Sequence, residues 1–275
     1  MTTAYVFTEE EKKVEFCSIA SGSSGNCIFV GTDEANILID AGISAKKICE
    51  GLKGIDIDPS DIDAIFVTHE HIDHIQGISA FVKKYPLEIF GTKKTLKALN
   101  AKYNGEFGES TFTEIVPDID FSYKDVIIHP FAVSHDAVDP VGYRIESEGK
   151  RFAVATDMGF FDDSIVNCLK DLDAICIEAN HDINMLMVGK YPYNLKQRVS
   201  GPKGHLSNDA AADLLCRIYS ERLKYIMLIH LSKDNNYAEL AYETVRAELL
   251  TRCCNTPVVL DVAGRSAASD IYSII

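Results

Sequence analysis

Positive charge is what this chain has least of. Its 27 lysines and arginines are outnumbered by 41 aspartates and glutamates, giving a net charge of −14. That balance excludes a protein that grips nucleic acid through its whole surface, because counterion release needs a basic face, but it leaves room for a local basic groove beside bound cations. Paired cysteine motifs are also absent. The eight cysteines (Cys17, Cys27, Cys49, Cys168, Cys176, Cys216, Cys253, Cys254) include no CxxC, and several sit in apolar runs such as Ala174-Ile175-Cys176-Ile177. A cysteine-type zinc site is thereby disfavoured, and buried free thiols in a reducing cytoplasm are expected. The first 14 residues carry no apolar signal core, and no apolar stretch approaches the ~18 residues of a membrane span. A cytoplasmic protein with no membrane partner is the expectation.

There is likewise no internal repeat, no low-complexity tract and no Gly/Pro-rich linker. One domain over residues 1–275 is expected, with 1–12 as a peripheral N-terminal extension. What is present is an alternation of short apolar runs with helical patterns. Strands are expected at 14–20, 27–30, 37–39, 64–68, 87–90, 126–133, 142–146, 152–156, 174–178, 225–229 and 257–261, and helices at 44–51, 75–85, 93–100, 209–220 and 238–251. This is an α/β chain, and strands joined by hairpins as well as by helices predict two sheets. Several apolar runs end in a residue able to bind metal or move protons: Asp40, His69, Asp157, Glu178 and His230. Open α/β sheets gather ligands at the carboxyl ends of their strands, so five such endings predict one shared rim.

The densest local signal is His69-Glu70-His71-Ile72-Asp73-His74. In an extended segment His69 and His71 point the same way and can share one cation. A tight turn after Asp73 and His74 would aim both at a second position nearby. Neutral imidazoles mixed with a hard carboxylate suit Zn²⁺ or Mn²⁺, with iron a further candidate.

This HxHxDH string resembles the signature of the metallo-β-lactamase superfamily. His135, Asp157 and His230 follow in the expected order. The resemblance implies an αβ/βα four-layer sandwich, two mixed β-sheets flanked by helices. It also implies two divalent ions, one held by His69, His71 and His135, the other by Asp73, His74 and His230, with Asp157 between them. Asp40 is expected to orient a ligand histidine through a hydrogen bond.

The segment Gly204-His205-Leu206-Ser207-Asn208, with the strand ending at Glu178, is similar to ribonuclease Z. That similarity implies that Glu178 orients His205 and that His205 assists the leaving oxygen. Four strings together, residues 20–26, 178–182, 195–198 and 204–208, resemble the YycJ/WalJ-type, exonuclease-like branch. The interval between Asp157 and His230 leaves no room for the large inserted domain of the RNA- and DNA-processing relatives. Expected substrate contacts are Ser21, Ser23, Ser24 and Asn26 in a small-residue loop, His181 beside Glu178, and Lys196 and Arg198 in the basic run 190–203, where Tyr191 and Tyr193 interleave. His129 is expected to be a structural strand residue.

The implied reaction is phosphodiester hydrolysis by a 5′-to-3′ exonuclease acting on DNA or RNA. Two cations roughly 3.5–4 Å apart would lower the pKa of a shared water to give the attacking hydroxide, with Asp73 and His205 moving protons. The alternative is a small-molecule metallohydrolase acting on a cyclic phosphodiester, thioester or lactone. A groove shared between two copies of the chain is compatible with the sequence.

Overall fold

The computed structural model describes residues 13–253 and 258–275. The expected N-terminal extension 1–12, Cys254 and the first residue of the expected strand 257–261 lie outside them.

The chain lays down two sheets in succession. The first receives β1 (Val14–Ala20), β2 (Cys27–Gly31), β3 (Asn36–Ile39), β4 (Ala64–Phe66), β5 (Glu88–Thr92) and β6 (Thr111–Ile115). The second receives β7 (Phe121–Tyr123), β8 (Val126–Ala132), β9 (Val141–Ser147), β10 (Lys150–Ala155), β11 (Ala174–Glu178), β12 (Tyr225–Ile229) and β13 (Val259–Val262). Strand β14 (Tyr272–Ile274) then returns to pair antiparallel with β1, so each sheet has seven strands. Both sheets are mixed: β3 to β6 run parallel in the first, and β10 to β13 in the second.

Three apolar clusters define four layers. Between the sheets lie Phe16, Phe66, Tyr143 and Phe152, with Phe16 stacked on Phe152 across the interface at 4.7 Å. Such a ring pair adds about 0.5–1.5 kcal/mol beyond its buried area. The outer face of the first sheet is covered by α1 (Ala45–Gly54), α3 (Ile78–Val82) and α4 (Lys93–Lys102), which contribute Ile48, Leu52, Phe81 and Leu99. The outer face of the second is covered by α5 (Asp163–Cys168), α8 (Asn208–Ile218) and α9 (Ala238–Arg252). The expected αβ/βα sandwich is therefore present. The helices start where their caps allow. Ser44 Oγ accepts from Lys47 N and Ser207 Oγ from Ala210 N, each satisfying a first-turn amide.

One expected helix is two. Residues 75–85 divide into the end of α2 (Ile72–Ile75) and α3, with Gly77 between them. Gly77 N donates to Ala41 O (2.8 Å) instead of to Asp73 O, which accepts from Asn26 N, so the helical ladder is interrupted; a Cβ there would lie 2.0 Å from the Ile43 carbonyl oxygen. The short strands β6, β7 and β14 and the helices α6 (Ile183–Val188) and α7 (Tyr193–Val199) were not anticipated.

Candidate metal-dependent active site

The carboxyl-end rim is built by a repeated local device. Asp40 follows β3 at φ 62°, Asp157 follows β10 at φ 54°, and His230 follows β12 at φ 57°. A left-handed backbone in a residue with a Cβ costs roughly 1–2 kcal/mol. At each strand end it breaks the alternation and turns the side chain into the rim. Strand β4 stops at Phe66, and the following segment carries Thr68, His69 and His71 into α2, which presents Asp73 and His74.

That turn is clasped by its neighbours. Asn26 N donates to Asp73 O (2.8 Å) and Ala41 N to His74 O (2.8 Å). A Cβ on Gly42 would stand 1.7 Å from Asp73 O. Gly42→Ala is therefore expected to push the Asp73–His74 turn outward, costing about 1–3 kcal/mol or more in stability. It should also weaken divalent-ion binding by at least tenfold (roughly, from lost ligand positioning); denaturant unfolding and titration calorimetry check the two effects.

The imidazoles are oriented from behind. His74 Nδ1 donates to Asp40 Oδ2 (2.6 Å), His135 Nδ1 to Gly204 O (3.0 Å) and His230 Nδ1 to Glu178 Oε1 (2.8 Å). Thr68 Oγ1 donates to Asp40 Oδ2 (2.7 Å) and so accepts from His69 Nδ1 (3.0 Å). Each bond fixes a tautomer and leaves an Nε2 lone pair facing the centre, the arrangement metal-ligating histidines use. His69 Nε2 is buried with no hydrogen-bond partner. An orphaned acceptor there is costly without a ligand, so the donor set fits a cation.

Two triads converge, His69/His71/His135 and Asp73/His74/His230, each with ligand atoms within 4.8 Å of one another. Asp157 stands between them. Its Oδ2 lies 3.1 Å from His74 Nε2 and its Oδ1 3.5 Å from His135 Nε2. The Asn26 Nδ2 contact with His74 Nε2 (3.2 Å) occupies the lone pair a cation would take.

Burial and charge split the titrations. Burial pushes His69 and His135 well below or below the usual imidazole value. His74 and His230 are buried as well, but Asp157 and its neighbouring carboxylates overcome that effect and raise both, His230 to about 10. Asp157 is held well below the carboxylate range, against its own burial, by His230 and His74. In the absence of ions, protons on these rings play the part of the cations.

Glu178 does more than the sequence suggested. It is fully buried, and its Oε1 accepts from both His205 Nδ1 (2.7 Å) and His230 Nδ1 (2.8 Å). Its Oε2 accepts from the backbone amides of Met158 (3.0 Å) and Leu206 (3.2 Å). Burial alone would raise this carboxyl, yet His205 and the other donors hold it at about 2. Reciprocally, Glu178 raises His205 against its burial. The His205 loop is pressed into place: a Cβ on Gly204 would lie 2.1 Å from Val199 O, and one on Gly159 2.3 Å from Pro202. The site opens through the side chains of His71, Asp73 and His205, which are 30 %, 21 % and 20 % exposed.

The remaining expected contacts divide. Ser23 and Ser24 are exposed on the loop. Ser21 and Asn26 are buried and spend their polar atoms inside the protein, in place of the expected substrate contact. Ser21 Oγ accepts from His230 N (2.7 Å) and Asn26 Oδ1 from Gly22 N (2.9 Å). Both brace the ligand turns. Arg198 pairs with Asp136 (2.5 Å) beside His205, whereas Lys196 caps the Met187 carbonyl. His181 is buried close to Glu178 and His205. His129, on β8, pairs with Asp120, which precedes β7, and belongs to neither triad. Thr68, Asp136 and the Gly204 carbonyl are parts the sequence did not single out. Thr68 was visible only as the residue before His69, and a backbone carbonyl leaves no signal at all.

Comparison with known proteins agrees with this geometry. The family model described as a beta-lactamase superfamily domain matches residues 35–231. The exodeoxyribonuclease WalJ of Streptococcus pneumoniae is 40 % identical over 236 residues, 86 % of this chain and 88 % of that protein. The exodeoxyribonuclease YycJ of Bacillus anthracis is 36 % identical over 84 % of this chain and 88 % of its own length. Among solved structures, the metallo-beta-lactamase fold protein YhfI from Bacillus subtilis superposes with a TM-score of 0.69 at 15 % identity, covering 95 % of this chain and 99 % of that one. Among the described residues no helix is long and apolar enough to cross a membrane.

Proposed function

Because the chain belongs to the metallo-β-lactamase superfamily, and within it to the family of the WalJ and YycJ exodeoxyribonucleases, we propose that it is a metal-dependent exodeoxyribonuclease that removes nucleotides from 5′ ends. The observation that carries this reading is the Glu178 bracket, which fixes His205 at the open edge of a divalent-metal centre.

The two triads and Asp157 would hold two divalent ions, zinc or manganese, which would supply a water of lowered pKa and positive charge for the phosphate. The protein's own groups do the rest. Asp73, whose carboxyl is held low despite its burial by its histidine neighbours, is the carboxylate placed to receive the proton of the attacking water. As the new P–O bond forms, the bond from phosphorus to the 3′ oxygen of the departing nucleotide breaks. That oxygen takes its proton from His205 Nε2, the Nδ1 hydrogen being committed to Glu178. Arg198, in the cavity beside His205, is the cation offered to the backbone, and the exposed serines Ser23 and Ser24 are offered as further contacts.

The test is degradation of 5′- and 3′-labelled single- and double-stranded DNA and RNA with added Mn²⁺ or Zn²⁺. Loss of label from 5′ ends is expected, abolished by Asp73→Ala and slowed roughly 10²–10⁴-fold by His205→Ala. Hydrolysis of bis(p-nitrophenyl) phosphate or a thioester with every polymer left intact would overturn the nuclease reading and favour a small-molecule hydrolase.

A further inference from the structure

Two cavities meet at His205 and share no other lining residue. One, of about 180 Å³, holds Arg198, Asp136 and Tyr191 and is charged. The other, of about 230 Å³, lies between α6 and the start of α8 and is lined by Ile183, Leu186, Met187, Leu206 and Ala210 together with His181. The C-terminal end of α7 separates them, with Val199 in the first and Ser200 in the second.

The second cavity has features that the metal chemistry does not explain. Its wall is largely apolar although it opens beside a centre of buried imidazoles and carboxylates. Ile183 and Met187 leave 48 % and 58 % of their surfaces exposed at its mouth. His181, which lines it, is 98 % buried by its 2 % exposure, yet its Nδ1 has no hydrogen-bond partner. A buried polar atom left unpaired costs about 1–3 kcal/mol, and such a cost persists where a ligand repays it. Burial lowers His181 to about 4, so the ring is a neutral imidazole that can either donate or accept.

We propose that this cavity is the subsite for the nucleobase of the departing 5′-terminal nucleotide, stacked against the apolar wall and hydrogen-bonded at its edge by His181. The proposal rests on the exonuclease reading above. Its geometry follows from the role of His205: the nucleoside whose 3′ oxygen is protonated by that ring must lie on the His205 side of the phosphate, where the cavity opens. A flat heterocycle matches apolar walls with one or two polar groups, the composition by which pockets for extruded bases hold their ligands. An imidazole free to adopt either tautomer can meet bases of differing edge pattern, which suits an enzyme that must accept each terminal base in turn. The charged cavity across His205 is left to the backbone of the retained strand.

The test compares DNA whose 5′-terminal nucleotide is intact with DNA carrying a tetrahydrofuran abasic residue there. Both are degraded by the Mn²⁺-loaded full chain under single-turnover conditions. The wild type should cleave the intact terminus about tenfold faster or more, the worth of burying one base face against aliphatic side chains. Ala210→Leu, which fills the cavity with a residue compatible with α8, should reduce that ratio towards one by slowing the intact terminus. Met187→Asp, at an exposed position where folding is not at risk, should reduce it in the same direction. His181→Phe should change the relative rates among the four terminal bases. Equal wild-type rates on intact and abasic termini, with DNA degraded normally, would overturn the base subsite and leave the nuclease reading standing. A wild type that degrades no DNA would overturn both.

Discussion

Asp157→Asn is expected to lower the rate of DNA degradation by roughly 10³-fold or more, since even one preorganised electrostatic contact is commonly worth about 10²–10³. The substitution keeps the shape of the side chain and removes its charge. One face of the new amide would turn an N–H towards either the His74 Nε2 side or the His135 Nε2 side, which Asp157 now approaches at 3.1 and 3.5 Å. If Asp157 bridges two ions as proposed, at least one would lose a ligand and both would lose the charge that offsets their repulsion. Elemental analysis should therefore show less than the full wild-type metal content, and a variant with full metal and wild-type rate would sink the bridging assignment. In chelated protein the same change should cost about 3 kcal/mol, by stranding buried imidazolium rings. The sign with pH is fixed by the raised histidines. Their contribution is complete below the value of an unfolded histidine and fades as pH rises towards about 10, where His230 gives up its proton. Thermal unfolding across that window should show the two proteins converging at alkaline pH.

Glu178→Gln should have an effect nearly as large, by a different route. Four N–H groups now converge on one buried carboxylate, two from imidazoles and two from backbone. Glutamine offers one oxygen and sets an amide N–H against donors, for a stability loss of about 3–5 kcal/mol. Activity should fall roughly 10²–10⁴-fold through misplacement of His205, with divalent-ion affinity falling about 10–100-fold through His230. The pH profile separates this from simple damage. In the proposed reaction His205 acts protonated, and Glu178 raises its pKa, so wild-type activity should then fall on the alkaline side at a pH above that of a free imidazole. In Glu178→Gln that falling limb should move to lower pH. A limb that stays in place would mean that Glu178 does not hold the proton on His205.

Much of this site was legible because its chemistry sits where short-range pattern is strong. Apolar runs closed by Asp40, His69, Asp157, Glu178 and His230 locate the rim, and the left-handed turns at Asp40, Asp157 and His230 show how a strand end aims such a residue. The layered fold followed from the same runs. Strands β7 and β14, with three residues each, are too short for alternation to register, and β6 is half exposed. The division of helix 75–85 depends on the distant Ala41 carbonyl that takes the Gly77 amide, which no local window contains. Ser21 and Asn26 were read as substrate contacts from their small polar character. Whether such a loop faces solvent or the ligand turns is decided by tertiary packing, here the His230 amide 209 residues away. The basic run proved to be the α7 segment walling the cavities at His205, a placement carried by the tight fit of Gly159 and Gly204 and not by its charges.

The two triads draw on both halves of the molecule. His69, His71, Asp73 and His74 hang from the first sheet, and His135, Asp157 and His230 from the second, so each triad combines the two. An ion held there is a rivet through the sandwich as well as a reagent. It binds only when the sheets are docked, so each bound ion at 100 times its dissociation constant would add about 2.7 kcal/mol against their separation. The lifetime of the chain in the cell would then follow its metal supply. Without ions that added resistance would be lost, and the aromatic interface between Phe16 and Phe152 would be bared to proteases more often.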